Sequence, residues 1–196
     1  MTVDDLPSNL RELYEVHEWR HASAILATDF HSEWQDIIAV LGAFRLRKSA
    51  IVAGGGNKSP IANEVDVAFA ERGWVEKQFR TEIVVDDRRR VSPTHKVDYF
   101  KHAVGIEMEW NNKDPFYDRD LNNFRLLFDL GAISVGVIIT RSDELQELFD
   151  QLGKGKSYGP STTHMSRLLP RLEGGAGGGC PILVFGITRK LYVEGV

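Results

Sequence analysis

Three features of the chain predict an α/β domain whose mixed central sheet is flanked by helices. The first third spaces its apolar residues for helices. Residues 96–110 alternate as a hairpin would. Two nearly continuous apolar runs, Ile133–Thr140 and Pro181–Ile187, each follow a helical stretch as buried strands do in strand–helix–strand alternation.

The chain has 196 residues, which fits one domain over 1–196, and its 42% hydrophobic and 27% charged residues suit a globular protein. The single cysteine, Cys180, has no partner for an internal disulfide and precedes an apolar run, so it reads as a small buried residue in a protein of a reducing cytoplasm. No apolar stretch approaches the roughly 18–20 residues of a membrane span, and the start, MTVDDLPSNL, is too acidic for a signal peptide. A net charge of −4 argues against nonspecific coating of DNA. The cations are nonetheless clustered: Arg45, Arg47, Lys48 and Lys58 share a stretch without acids, and Arg88, Arg89 and Arg90 form a run. Either cluster could equally be a solvated loop.

Helices are predicted from His21 to Ala27 and from Asp29 to Leu41, where Trp34, Ile37, Ile38 and Leu41 recur at helical spacing and Asp29 is a candidate N-cap. AGGGNKSP, residues 53–60, lacks the ending of a Walker loop; its glycines suit either a close backbone approach or a plain loop. Pro60 opens a helix to about Arg72, ended by Gly73. Thr81–Val85, Lys96–Phe100 and Val104–Trp110 are extended. Tyr117–Leu130 is an amphipathic helix with Leu121, Phe124, Leu127 and Phe128 on one face. Ile133–Thr140 is a nearly continuous β-branched run, as in a strand covered on both faces. Helices over Leu145–Leu152 and Thr163–Leu172, a glycine-rich loop and the strand Pro181–Ile187 complete the chain.

The stretch KVDYFKHAVGIEMEW, residues 96–110, carries the chemistry. As an antiparallel hairpin turning at His102–Ala103, it sets Val97 against Met108 and Tyr99 against Ile106 on an apolar face. Asp98 then faces Glu107, and Lys96 faces Glu109, on the polar face. Opposed Cβ atoms lie about 4.5–5.5 Å apart, and two ionised carboxylates at that distance need a cation, a proton or a basic neighbour. A hard divalent ion such as Mg²⁺ meets the need with oxygen ligands. The plain alternative is a solvent-facing hairpin with hydrated acids and a Lys96–Glu109 surface salt bridge.

The stretch VDYFKHAVGIEMEWNN resembles the BglII/BstYI-type restriction endonucleases of the PD-(D/E)XK nuclease superfamily. The resemblance extends in order through HASAIL and Trp34, SPIANEVDVAFAERGW, Tyr117–Leu130, SVGVIITR, Ser157-Tyr158 and PILVFGI. It implies a restriction-endonuclease-like core and a bacterial, cytoplasmic, homodimeric type II enzyme. The expected reaction is Mg²⁺-dependent hydrolysis of duplex DNA at a palindrome with a GATC core, with Mn²⁺ as substitute and a DNA methyltransferase as companion. Asp98 and Glu107 become metal-binding carboxylates and the Met108 carbonyl a further ligand. Glu109 occupies the position of the superfamily's commonest lysine. Asn111 and Asn112 become base readers, although a turn uses Asn-Asn as readily. Ser157 and Tyr158 are candidates for outer-base recognition, Lys156 for a phosphate contact, Glu76 or Glu82 for a further acid, and His21 for a cap or DNA contact. Helices before residue 45 and after 117 are candidates for the dimer surface. Two other readings stay open: a structure-specific repair or recombination nuclease on the same core, and a DNA-binding relative without catalysis.

Overall fold

The computed structural model describes residue 3, residues 6–53 and residues 58–195. The glycine run at 54–56, expected to be a loop or a close-approach segment, lies outside the described residues.

A six-stranded sheet runs through the molecule in the order β1 (Tyr14–Trp19), β7 (Ile182–Ile187), β6 (Val135–Arg141), β5 (Val104–Met108), β4 (Arg88–Lys101) and β3 (Val75–Val85). The sheet is mixed. β5, β6 and β7 are parallel, whereas β1, β4 and β3 join antiparallel. A short parallel pair, β2 (Leu46–Arg47) with β8 (Tyr192–Val193), stands apart.

Strand alternation divides the core into two layers. Val135, Val137 and Ile139 of β6, with Leu183, Phe185 and Ile187 of β7, pack on the N-terminal helices: α1 (Ser8–Leu13), α2 (Ala22–Asp29), α3 (His31–Ala43), α4 (Lys48–Val52) and α5 (Pro60–Ala70). The same layer takes Leu145, Leu148 and Phe149 of α7 (Leu145–Gln151). Ile138, Ile182 and Val184 face the other way, onto α6 (Phe116–Asp129) and α8 (Met165–Glu173). Gly136 lets α6 lie close: a Cβ there would sit 2.5 Å from Phe124 Cδ2.

Most predicted elements form near their expected bounds, but several details differ. The edge strand β1 occupies a stretch where no strand was expected, because five of its six residues are only partly buried and blur the alternation. Asp29 is the last residue of α2 rather than a cap for α3; Phe30 holds that position without a side-chain bond. His21 precedes α2 in a left-handed conformation (φ 58°) and caps nothing with its side chain. Ser59 does cap α5, accepting from Ala62 N–H at 3.1 Å, with Pro60 in the first turn.

Candidate active site

The β4–β5 hairpin turns where expected. Tyr99 pairs with Ile106, Phe100 with Gly105 and Lys101 with Val104. The regular pairing ends there. On its other side β4 pairs Phe100 with Val75 but Val97 with Lys77, so three steps of β4 match two of β3. This β-bulge re-aims the strand at Asp98, a common device beside active sites. Two expectations fail in consequence. Val97 does not join Met108 in one apolar layer; it packs with the α6 layer, Met108 with the other. Lys96 does not meet Glu109; its Nζ reaches Glu76 Oε2 at 2.6 Å.

Beyond Tyr99–Ile106, side chains take over the bonding between the strands. Met108 N–H donates to Asp98 Oδ2 at 3.0 Å, and Asp98 N–H reaches Glu107 Oε2 at 3.4 Å. The two acids are therefore neighbours, as the hairpin predicts, although no ladder pair sets them there. Glu107 and Glu109 alternate with Ile106 and Met108 and both lie 1% exposed.

A third buried acid was not foreseen. Asp120 of α6 is 1% exposed. Arg119 joins it to Glu109, with Nε 2.8 Å from Asp120 Oδ1 and Nη2 3.3 Å from Glu109 Oε1. The signal was in the sequence: Asp120 falls three residues after Tyr117 and four before Phe124, within the helix's buried stripe. Two oxygens of this cluster, Glu107 Oε1 and Asp120 Oδ2, are buried without a hydrogen-bond partner.

Burial, then the Asp120 charge, raises the Glu107 carboxyl well above the usual carboxylate range and pushes Glu109 up to about 9. Burial also raises Asp98, opposed by the bond from Met108 N–H. Such a set holds protons or cations.

A cleft of about 390 Å³ opens on Asp98. It is lined by Asp98, Tyr99, Met108, Asn111, Asn112 and Ser157, together with Lys58 and Asp66. Asp66, which the sequence reading passed over beside the apolar Ile61–Val65–Phe69 stripe, accepts from Tyr99 Oη at 2.7 Å and pairs with Lys58. Glu76 and Glu82, the expected candidates for a further acid, do not line the cleft: Glu76 is bound to Lys96, and Glu82 stands 3.9 Å from Arg89 on the exposed hairpin.

The candidate reading residues divide. Asn111 lines the cleft with φ 60° and a buried, unpartnered Oδ1. Asn112 is committed inward, its Nδ2 donating to Glu109 Oε2 at 2.9 Å. Ser157 is exposed on the rim; Lys156 is exposed but does not line the cleft, whereas Lys154 does. Tyr158 also borders the cleft, yet is only 5% exposed and stacks on Phe149 with ring centroids 4.0 Å apart, which makes its ring a core anchor for the loop. Arg141, fully buried at the end of β6, holds that loop through Nη2 to Tyr158 O at 3.1 Å and Thr162 Oγ1 at 3.0 Å.

Among the described residues, no three His, Cys, Asp or Glu side chains form a ready-made metal cluster. Mg²⁺ does not require one, since it takes one or two carboxylates and keeps several waters. The all-oxygen donor set and the orphaned Glu107 Oε1 fit such an ion.

A mixed sheet flanked by helices, with buried carboxylates at the end of a central hairpin, is the architecture of a restriction-endonuclease-like α/β protein. The chain belongs to the BglII/BglIII restriction endonuclease family, whose model matches residues 14–187. No match was found among curated proteins. Membership makes the chain a site-specific nuclease that acts on DNA. No helix among the described residues is long and apolar enough to cross a membrane.

Proposed function

We propose that the protein is a type II restriction endonuclease of one domain that hydrolyses duplex DNA at a palindromic site with a GATC core, using Mg²⁺ or Mn²⁺. The observation that carries this reading is Asp98 on the cleft wall with Glu107 buried behind it, the two joined by Asp98 N–H to Glu107 Oε2 and braced by Met108 N–H to Asp98 Oδ2. Asp98, Glu107 and the Met108 carbonyl would hold the ion. When bound, the ion supplies a water of lowered pKa and offsets charge at the phosphate.

The chain's own groups do the rest. The Met108 amide fixes the Asp98 carboxylate. Arg119 and Asn112 occupy the two oxygens of Glu109 and hold it beside the pair. Water attacks phosphorus in line, the bond to the 3′ oxygen breaks, and that oxygen takes a proton, leaving a 3′-hydroxyl and a 5′-phosphate. Asp66, which lines the cleft with Asp98, is a better upstream acid than Glu76 or Glu82. Asn111 and Ser157 read bases from the cleft wall; Asn112 couples the reading segment to Glu109. Lys154 and Lys156 sit on the loop suited to phosphate. A two-fold symmetric site calls for a homodimer, and a cytoplasmic bacterial enzyme of this kind works beside a protective methyltransferase.

Digestion of plasmid DNA with Mg²⁺ tests the reading. Discrete fragments whose sequenced ends share one palindrome are expected. A smear, or cutting confined to branched junctions, would instead favour a structure-specific nuclease.

A further inference from the structure

The arginine run at 88–90 takes no part in the site described above. It sits on the far part of β3 and β4, which leave the domain as a two-stranded ribbon. Past Arg80–Pro93 the strands pair for five rungs, from Thr81–Ser92 to Val85–Arg88, roughly 17 Å of ribbon at the usual strand rise. Residues 82–91 are all exposed, and none joins either core layer. Ile83, Val84, Val85 and Val91 stand 51%, 56%, 61% and 74% exposed. A two-stranded hairpin with nothing packed on it is marginal in water.

The root of the ribbon, by contrast, is fixed. Thr94 Oγ1 accepts from Phe79 N–H at 3.0 Å and donates to Phe79 O at 2.9 Å, and Phe79 packs edge-on against Phe100. Beyond the root, cross-strand partners share a face. One face carries Ile83 with Arg90 and Val85 with Arg88. These rungs hold no carboxylate, and neither arginine has an ion pair among the described residues. The other face carries Val84 with Arg89 and Val91 with Glu82, and there Arg89 stands 3.9 Å from Glu82. The remaining acids, Asp86 and Asp87, form the turn at the tip.

We propose that this ribbon is a DNA arm, with Arg88 and Arg90 on phosphates and Ile83 and Val85 against the sugars of the duplex that flanks the cut site. The proposal rests on the family's action on DNA and needs neither the metal reading nor a particular recognition sequence. A two-stranded ribbon fits the major groove, and guanidinium pairs well with phosphate. β4 is one strand from the ribbon to Asp98 on the cleft wall. Arg88 stands ten residues before Asp98, so contacts there fall up to about 34 Å from the cleft, one turn of duplex. A second copy of the chain suits this face poorly. Two-fold contact of the face with itself would gather the Arg88 and Arg90 guanidiniums of both copies with no acid between them.

Fluorescence anisotropy of the full chain without metal, over a range of KCl, tests the arm on two duplexes, one of about 40 base pairs and one of about 10, a single turn. The double variant Arg88→Gln/Arg90→Gln changes only exposed side chains and should melt like the wild type. On the long duplex its salt slope should fall by about 2 per protomer, since each phosphate contact contributes about 0.9. On the short duplex its slope should match the wild type, and Arg89→Gln should match the wild type on the long one. An unchanged slope on the long duplex, or an equal fall on both, overturns the arm. So does an equal fall in Arg89→Gln, which would make the effect one of overall charge. Loss of a dimer by the double variant in sedimentation equilibrium would make the ribbon a contact between copies and overturn the proposal. A wild type that binds neither duplex would sink the DNA reading along with the arm.

Discussion

Asn112 donates its side-chain amide to Glu109 Oε2 at 2.9 Å, while Thr163 N–H donates to the Asn112 carbonyl at 2.8 Å. The segment after β5 is thereby fastened to the buried Glu109 on one side and to the 160s loop on the other. Asn112→Ala should therefore lower the cleavage rate as well as relax site choice. Asn111→Ala should change site choice with little effect on rate. A lost bidentate base contact is worth about 1–3 kcal/mol, or roughly 5- to 150-fold in discrimination. Cleavage of sites differing at single base pairs measures both effects. An Asn111 variant with unchanged preference would remove that residue from base reading.

Arg141 supports the loop that carries Ser157 and Tyr158. Its Nη2 bonds to Tyr158 O and Thr162 Oγ1 would be lost in Arg141→Met. Two hydrogen bonds from a charged donor are worth about 1.5–3 kcal/mol each, part of which is recovered by removing a buried charge. Faster amide exchange across residues 156–163 is expected, together with weaker binding of specific DNA. Exchange unchanged in that segment would show that Arg141 does not hold it.

Stability without metal should depend on pH. Glu109 is pushed up to about 9 from an ordinary value of 4.5, and Glu107 is raised as well. Between those two values the folded chain holds protons that the unfolded chain has released, so stability falls as pH rises through the window. Thermal melting in chelator should show Tm decreasing from mildly acidic to alkaline pH. Glu109→Gln should flatten the slope, and added Mn²⁺ should restore Tm most at the alkaline end. A Tm that rises over this range would contradict the burial of uncompensated acids.

The sequence made the architecture readable because its long, periodic segments bury one face each: Phe124 and Leu127 on α6, and the unbroken run of β6, leave little choice of element. β1 was hidden because an edge strand need not alternate cleanly. At the site, the spacing of Asp98, Glu107 and Glu109 and the turn at His102 followed from strand period alone. The bulge at Asp98 did not, since one extra residue in β4 shows only against its partner β3. Nor did Asp66 and Asp120, which reach the site through tertiary packing from α5 and α6. Tyr158 illustrates the opposite case: the family pattern marks it for recognition, while its ring is fixed against Phe149 and Trp110.

The central claim is that Glu107 acts with Asp98 in cutting DNA rather than in binding it. Loss of a partner that merely orients a metal ligand costs about 10–100-fold, so loss of the ligand itself should cost more. Glu107→Ala, compared with the wild type in a gel shift without metal and in cleavage with Mg²⁺, measures this directly. Specific binding is expected to survive while cleavage falls more than about a hundredfold. Cleavage at close to the wild-type rate would contradict the account.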